Sequence, residues 1–166
     1  MNTMRLKMIV CDVLMREVCL LIAKCPHIFD LEFTERDSHD QSDNLRKNLQ
    51  DKIDDAVGKK YDAVLLGYGL CGNATVGLEA RDTRVVIPRA HDCCTLFLGS
   101  KEKFHQHFKD NPSQPFSSPG YTERGDSPFH DSLLRGDMEK DPEGMETAWQ
   151  FGKNTAFLLK AIRRAA

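Results

Sequence analysis

Short apolar, β-branched runs alternate along this chain with stretches of helical period, an order that calls for a parallel sheet wrapped by helices. Residues 5–11, where Met8, Ile9 and Val10 lead to Cys11, read as a buried strand, and residues 13–24 as a helix that Pro26 ends. Phe29, Leu31 and Phe33 alternate with polar neighbours, as in a less buried edge strand. After a polar turn at 36–42, Leu45, Leu49, Ile53, Ala56 and Val57 recur at steps of three and four, a helix that Gly58 is placed to stop. Residues 61–66 form the next buried strand. A short helix capped by Asn73 and running through Leu78 to Ala80, a fourth strand over 84–87 and a helix over 94–108 are expected to follow.

The fold class this implies is α/β: an open, mostly parallel, doubly wound sheet of the flavodoxin or Rossmann-like kind, strand order 2-1-3-4, with right-handed crossovers. The length of 166 residues suits a single domain with a full core. Residues 1–110 make the sheet core. Residues 111–145 are rich in Pro, Gly, Ser and Asp and read as an irregular loop or lid, with a brief helical turn at 132–135. A C-terminal helix lies within 146–166, with Trp149, Phe151, Ala156, Leu159 and Ile162 as its apolar contacts.

A formal net charge of −2 gives no broad basic footprint for nucleic acid or for an anionic membrane surface. The apolar run near the N-terminus is interrupted at Asp12, Arg16 and Glu17, too early for a signal peptide or a membrane span, so the expected location is the cytoplasm. There the six cysteines read as reduced thiols, metal ligands or catalytic groups and not as a disulfide framework. Cys19 is expected to pack as a small hydrophobe on its helix, and Cys25 to be structural or incidental.

The other four lie where strands should end. Cys11 closes the first strand, Cys71 sits in Gly67-Tyr68-Gly69-Leu70-Cys71-Gly72-Asn73, and Cys93 and Cys94 follow Arg89-Ala90-His91-Asp92. The carboxyl ends of neighbouring parallel strands converge on one crevice, and strand spacing of about 4.8 Å lets thiolates from adjacent ends share one ion at about 2.3 Å. Adjacent side chains diverge, so Cys93 is assigned to the crevice and Cys94 to helix packing. Arg89, His91 and Asp92 are the candidate catalytic groups, a fixed cation, a titratable ring and a carboxylate before a helix. A local turn and helix cap is the structural alternative for His91 and Asp92.

Gly67, Gly69 and Gly72 match the G-x-G-x-x-G spelling and, with Asn73, could present backbone amides to a phosphate. The loop follows the wrong strand for a dinucleotide, and Ile87, Pro88 and Arg89 stand where a ribose-binding acid would be, leaving an anion pocket with Arg89 as one option and a tight, closely packed turn as the other. His105 and His107 are two apart on a helix and read as solvated; His27, His39 and His130 have no partner at ligand spacing.

The stretches 61–73 and 87–93, with the opening Ile9-Val10-Cys11-Asp12-Val13-Leu14, resemble the hallmark segments of an uncharacterised prokaryotic family, domain-of-unknown-function family 1638. The resemblance spans about 5–110; residues after Pro112 depart from it, and Cys94 replaces a usually apolar residue. Some members are encoded near corrinoid-dependent methyltransferases, so the resemblance implies anaerobic one-carbon metabolism. The leading expectation is a zinc or iron-sulfur site held by Cys11, Cys71 and Cys93, with His91 as fourth ligand or proton donor and an open position for a small-molecule substrate in methyl or sulfur transfer. The alternatives are a metal-free module for an anionic metabolite, using Gly67–Gly72 and Arg89, or a non-catalytic partner of a corrinoid protein or methyltransferase. A homo-oligomer is left open.

Overall fold

The computed structural model describes residues 3–35, 42–113, 116 and 118–124. Four strands, β1 (Arg5–Cys11), β2 (Ile28–Thr34), β3 (Ala63–Gly67) and β4 (Val85–Val86), form an open, all-parallel sheet in the order β2-β1-β3-β4. This is the expected α/β architecture and strand order. The register pairs Val10 with Gly67 and Cys11 with Thr34, so the first cysteine stands at the end of a central strand between two neighbours.

The sheet centre is fully apolar. Leu6, Ile9 and Val10 of β1 and Ala63 of β3 have no exposed surface, and the helix α2 (Ser42–Asp54) turns Leu45, Leu49 and Ile53 into the same buried cluster. The three and four spacing of these residues puts them on one stripe. Helix α1 (Met15–Ala23) follows a single 3-10 turn at Asp12–Leu14 and buries Glu17 and Val18. Cys19 is exposed, which corrects the expected core placement. No described helix is long and apolar enough to cross a membrane.

Several expected boundaries shift, each for a local reason. Helix α2 ends at Asp54 and Val57 is left 49% exposed, because the chain already turns through Asp55–Gly58, where Gly58 takes φ +73°. The helix expected from Asn73 is absent. Cys71, Gly72 and Asn73 all adopt left-handed φ (+43°, +64°, +67°), which a right-handed helix cannot accept, and residues 71–77 are turns. β4 shrinks to two residues. The helix expected over 94–108 is two, α3 (Cys93–Leu98) and α4 (Lys101–Phe108), broken at Gly99 with φ +83° and restarted by the Ser100 hydroxyl accepting from Lys103 N at 3.1 Å. The irregular segment after Asn111 contains a five-residue helix, α5 (Pro119–Glu123), capped by Ser118. The helical turn expected at 132–135, the C-terminal helix, His39 and His130 lie outside the described residues.

Candidate functional site

Three loops meet above the strand ends. The residues after β3 and those after β4 are tied by backbone hydrogen bonds, Leu70 N to Ala90 O at 2.9 Å and Cys71 N to His91 O at 3.0 Å. Gly69 lies directly on this seam. The chain end of β1 lies alongside, and Gly67 is pressed so closely against Val10 that a Cβ on it would stand 2.3 Å from the valine side chain. Cys11, Cys71 and Cys93 consequently line one narrow crevice, together with Tyr68, Gly67, Gly69 and the exposed Glu35. Leu45 and Leu96 close its apolar sides.

The thiols are not equivalent. Burial pushes the Cys11 thiol up to about 12, and the charges of Asp12, Cys93 and Cys71 add to the effect. Cys71 is raised to about 11, again by burial first and then by Cys93. Cys93 moves the other way because Cys94 and the Tyr121 hydroxyl hydrogen-bond to its sulfur, which stabilises the anion. Cys94, as donor to Cys93, is raised. Tyr121 reaches the sulfur from α5, which docks on the turn after β1: Gly120 lies so near Val13 that a Cβ would meet its carbonyl oxygen at 1.7 Å, and Glu123 pairs with Arg16. Tyr68 hydrogen-bonds with Thr34 at the end of β2, and its hydroxyl is raised by burial and by Cys11 and Cys71.

Residues 11, 71 and 93 thus line one crevice beyond the carboxyl ends of the strands, while among the described residues no three His, Cys, Asp or Glu side chains are grouped so as to hold a metal ion. A family model described as a protein of unknown function (DUF1638) matches residues 33–160, most of the chain. The chain belongs to this family. The DUF1638 match begins after β1, so it leaves out Cys11, and it extends well past Pro112, further into the tail than the hallmark motifs reach. No curated protein and no solved structure matches this DUF1638 chain.

The remaining candidates in this DUF1638 protein are placed differently. Asp92 caps α3, its carboxylate accepting from Thr95 N at 2.9 Å and from the Thr95 hydroxyl at 3.1 Å. The His91 ring is exposed and tilts against Phe104 with centroids 6.2 Å apart, while Arg89 is exposed; none of these three lines the thiol crevice. Gly67 and Gly69 are occupied with close approach to Val10 and Asp92, and Gly72 with a left-handed turn, while the chain past Asn73 enters turns and presents no helix N-terminus. Tyr68 and Tyr121 are the groups that sequence reasoning missed. A tyrosine held between two glycines at a strand end was a usable signal for the first; nothing local marks the second.

Proposed function

We propose that the crevice binds a soft metal ion or an iron-sulfur cluster through Cys11, Cys71 and Cys93 and offers it to a small-molecule substrate. The observation that carries this reading is the convergence of three thiols from separate strand ends on one crevice. The donor set suits the group in kind: sulfur ligands select zinc and iron-sulfur centres, and a cation would compensate the charge that burial makes costly for Cys11 and Cys71. Among the described residues no three His, Cys, Asp or Glu side chains already stand as a metal-ligand group, so closing the site would need side-chain adjustment around the crevice. When bound, such a centre would supply Lewis acidity at an open position. The chain's own contribution is to exclude water with Leu45 and Leu96, to hold the Cys93 sulfur through Tyr121, and to keep Tyr68 and Thr34 hydrogen-bonded at the floor. Methyl or sulfur transfer is the reaction class to assay, from the setting that the family resemblance implies.

The test is purification under argon followed by zinc, iron and sulfide analysis. Stoichiometric metal that is lost on changing Cys11, Cys71 or Cys93 singly to Ser, and kept on changing Cys94 to Ser, supports the reading. A metal-free chain that takes up neither zinc nor iron overturns it, and binding of a phosphorylated metabolite by that chain would favour the anion pocket at Gly67–Gly72 and Arg89.

A further inference from the structure

Two of the three crevice thiols differ from the third in access. Cys71 and Cys93 are partly exposed, whereas Cys11 is buried at 8% exposure at the end of a central strand. The loop carrying Cys71 and the turn leading into Cys93 are also joined by the Leu70–Ala90 and Cys71–His91 hydrogen bonds, and both cysteines line the same crevice. Their surroundings are asymmetric. The Cys93 sulfur accepts from the Tyr121 hydroxyl at the first turn of α3, whereas Cys71 sits in a turn-only segment, 71–77, next to Gly72 in left-handed backbone. A segment of turns, with neither helix nor strand, is the easier one to move toward a partner sulfur. Cys94 is no substitute, since a bond between neighbours in sequence would unwind α3.

We propose that Cys93 and Cys71 form a thiol-disulfide exchange couple acting on low-molecular-weight disulfides, with Cys93 as the attacking sulfur and Cys71 as the resolving one. The Cys93 thiolate attacks one sulfur of R–S–S–R, forming a mixed disulfide and expelling RS⁻, which takes the Cys71 proton. The Cys71 thiolate then attacks the Cys93 sulfur, closing the Cys71–Cys93 disulfide and expelling the second RS⁻, which is protonated from solvent. Two protein thiols are oxidised and one small disulfide is reduced to two thiols. This chemistry belongs to the metal-free chain and goes beyond the metal-site reading.

The test uses the full chain, dialysed against a chelator under argon so that its outcome is separate from the elemental analysis above, and treated with oxidised glutathione. Peptide mapping by mass spectrometry should find a Cys71–Cys93 disulfide with no glutathione retained on either residue. C71S, with C71A as a second variant checked for native circular dichroism, should instead trap glutathione on Cys93 faster than on exposed Cys19, an internal reference for an ordinary thiol. C93S should form neither product at these two positions, and C25S, which changes a free cysteine outside the crevice lining, should behave as wild type. Glutathione retained on Cys93 of the wild type, trapping at Cys71 in C93S as fast as at Cys93 in C71S, or a disulfide joining other cysteines would overturn the proposal.

Discussion

Gly69 lies against the backbone of Asp92: a Cβ built on it would stand 2.6 Å from Asp92 N and 2.7 Å from its Cα. The loop carrying Cys71 and the turn that starts the Cys93 helix are therefore in direct main-chain contact. Backbone cannot move aside as a flexible side chain can. Gly69→Ala should destabilise the protein by about 1–3 kcal/mol through overpacking, as read by urea unfolding. It should also part the two loops, so that Cys71 and Cys93 no longer join when the protein is oxidised.

The Tyr121 hydroxyl on the Cys93 sulfur has a measurable consequence for thiol reactivity. Tyr121→Phe keeps the ring and the docking of α5 but removes a donor that favours the thiolate, so the pH at which Cys93 becomes reactive should move upward. Alkylation of Cys93 by iodoacetamide near neutral pH should slow by roughly several-fold and should converge with wild type at high pH. An unchanged pH profile would show that this hydrogen bond does not govern the sulfur.

Thr34 and Tyr68 share a hydrogen bond while only 5% and 3% exposed. Tyr68→Phe leaves the threonine hydroxyl buried without that partner, at a cost of about 1–3 kcal/mol. Replacing both, with Thr34→Val added, removes the orphan and should recover much of the loss. A double-mutant cycle in urea measures it; strictly additive losses would count against coupling.

Glu17 is 2% exposed, and its Oε2 has no hydrogen-bond partner among the described residues. Burial raises its pKa, with Glu123 adding to the rise and its own backbone amide and Arg16 opposing it. The folded state therefore holds this proton to higher pH than the unfolded chain, whose glutamate titrates near 4.3. Its contribution to stability is fully present below about pH 4.3 and is lost as pH rises through the folded value, with a slope of at most about 1.4 kcal/mol per pH unit for one proton. Glu17→Gln should flatten that part of the profile, as followed by urea midpoints across pH. A variant with the wild-type slope would place the pH dependence elsewhere.

The alternation of strands and helices was readable because the central strands β1 and β3 are largely buried on both faces and α2 carries one apolar stripe, as Ile9 with Val10 and Leu45 with Leu49 show. The breaks were harder to see. Gly99 divides the α3–α4 region and the left-handed run at Cys71–Asn73 cancels a helix, yet propensity alone assigns neither backbone sign. Cys19 went wrong because the stripe facing the core runs through Leu14, Val18, Leu21 and Ile22, at steps of three and four that leave position 19 outside it.

Local order along the chain was enough to establish a parallel α/β sheet and to put Cys11, Cys71 and Cys93 at its carboxyl rim, because side-chain periodicity and strand direction are short-range properties. Which groups surround those sulfurs depended on contacts between distant segments. Tyr121 is 28 residues from Cys93 and reaches it through the close fit of Gly120 on Val13, while Asp92 turns inward to cap its own helix and His91 turns outward to Phe104. Such choices follow from three-dimensional packing and hydrogen-bond competition, and no spacing rule along the chain encodes them.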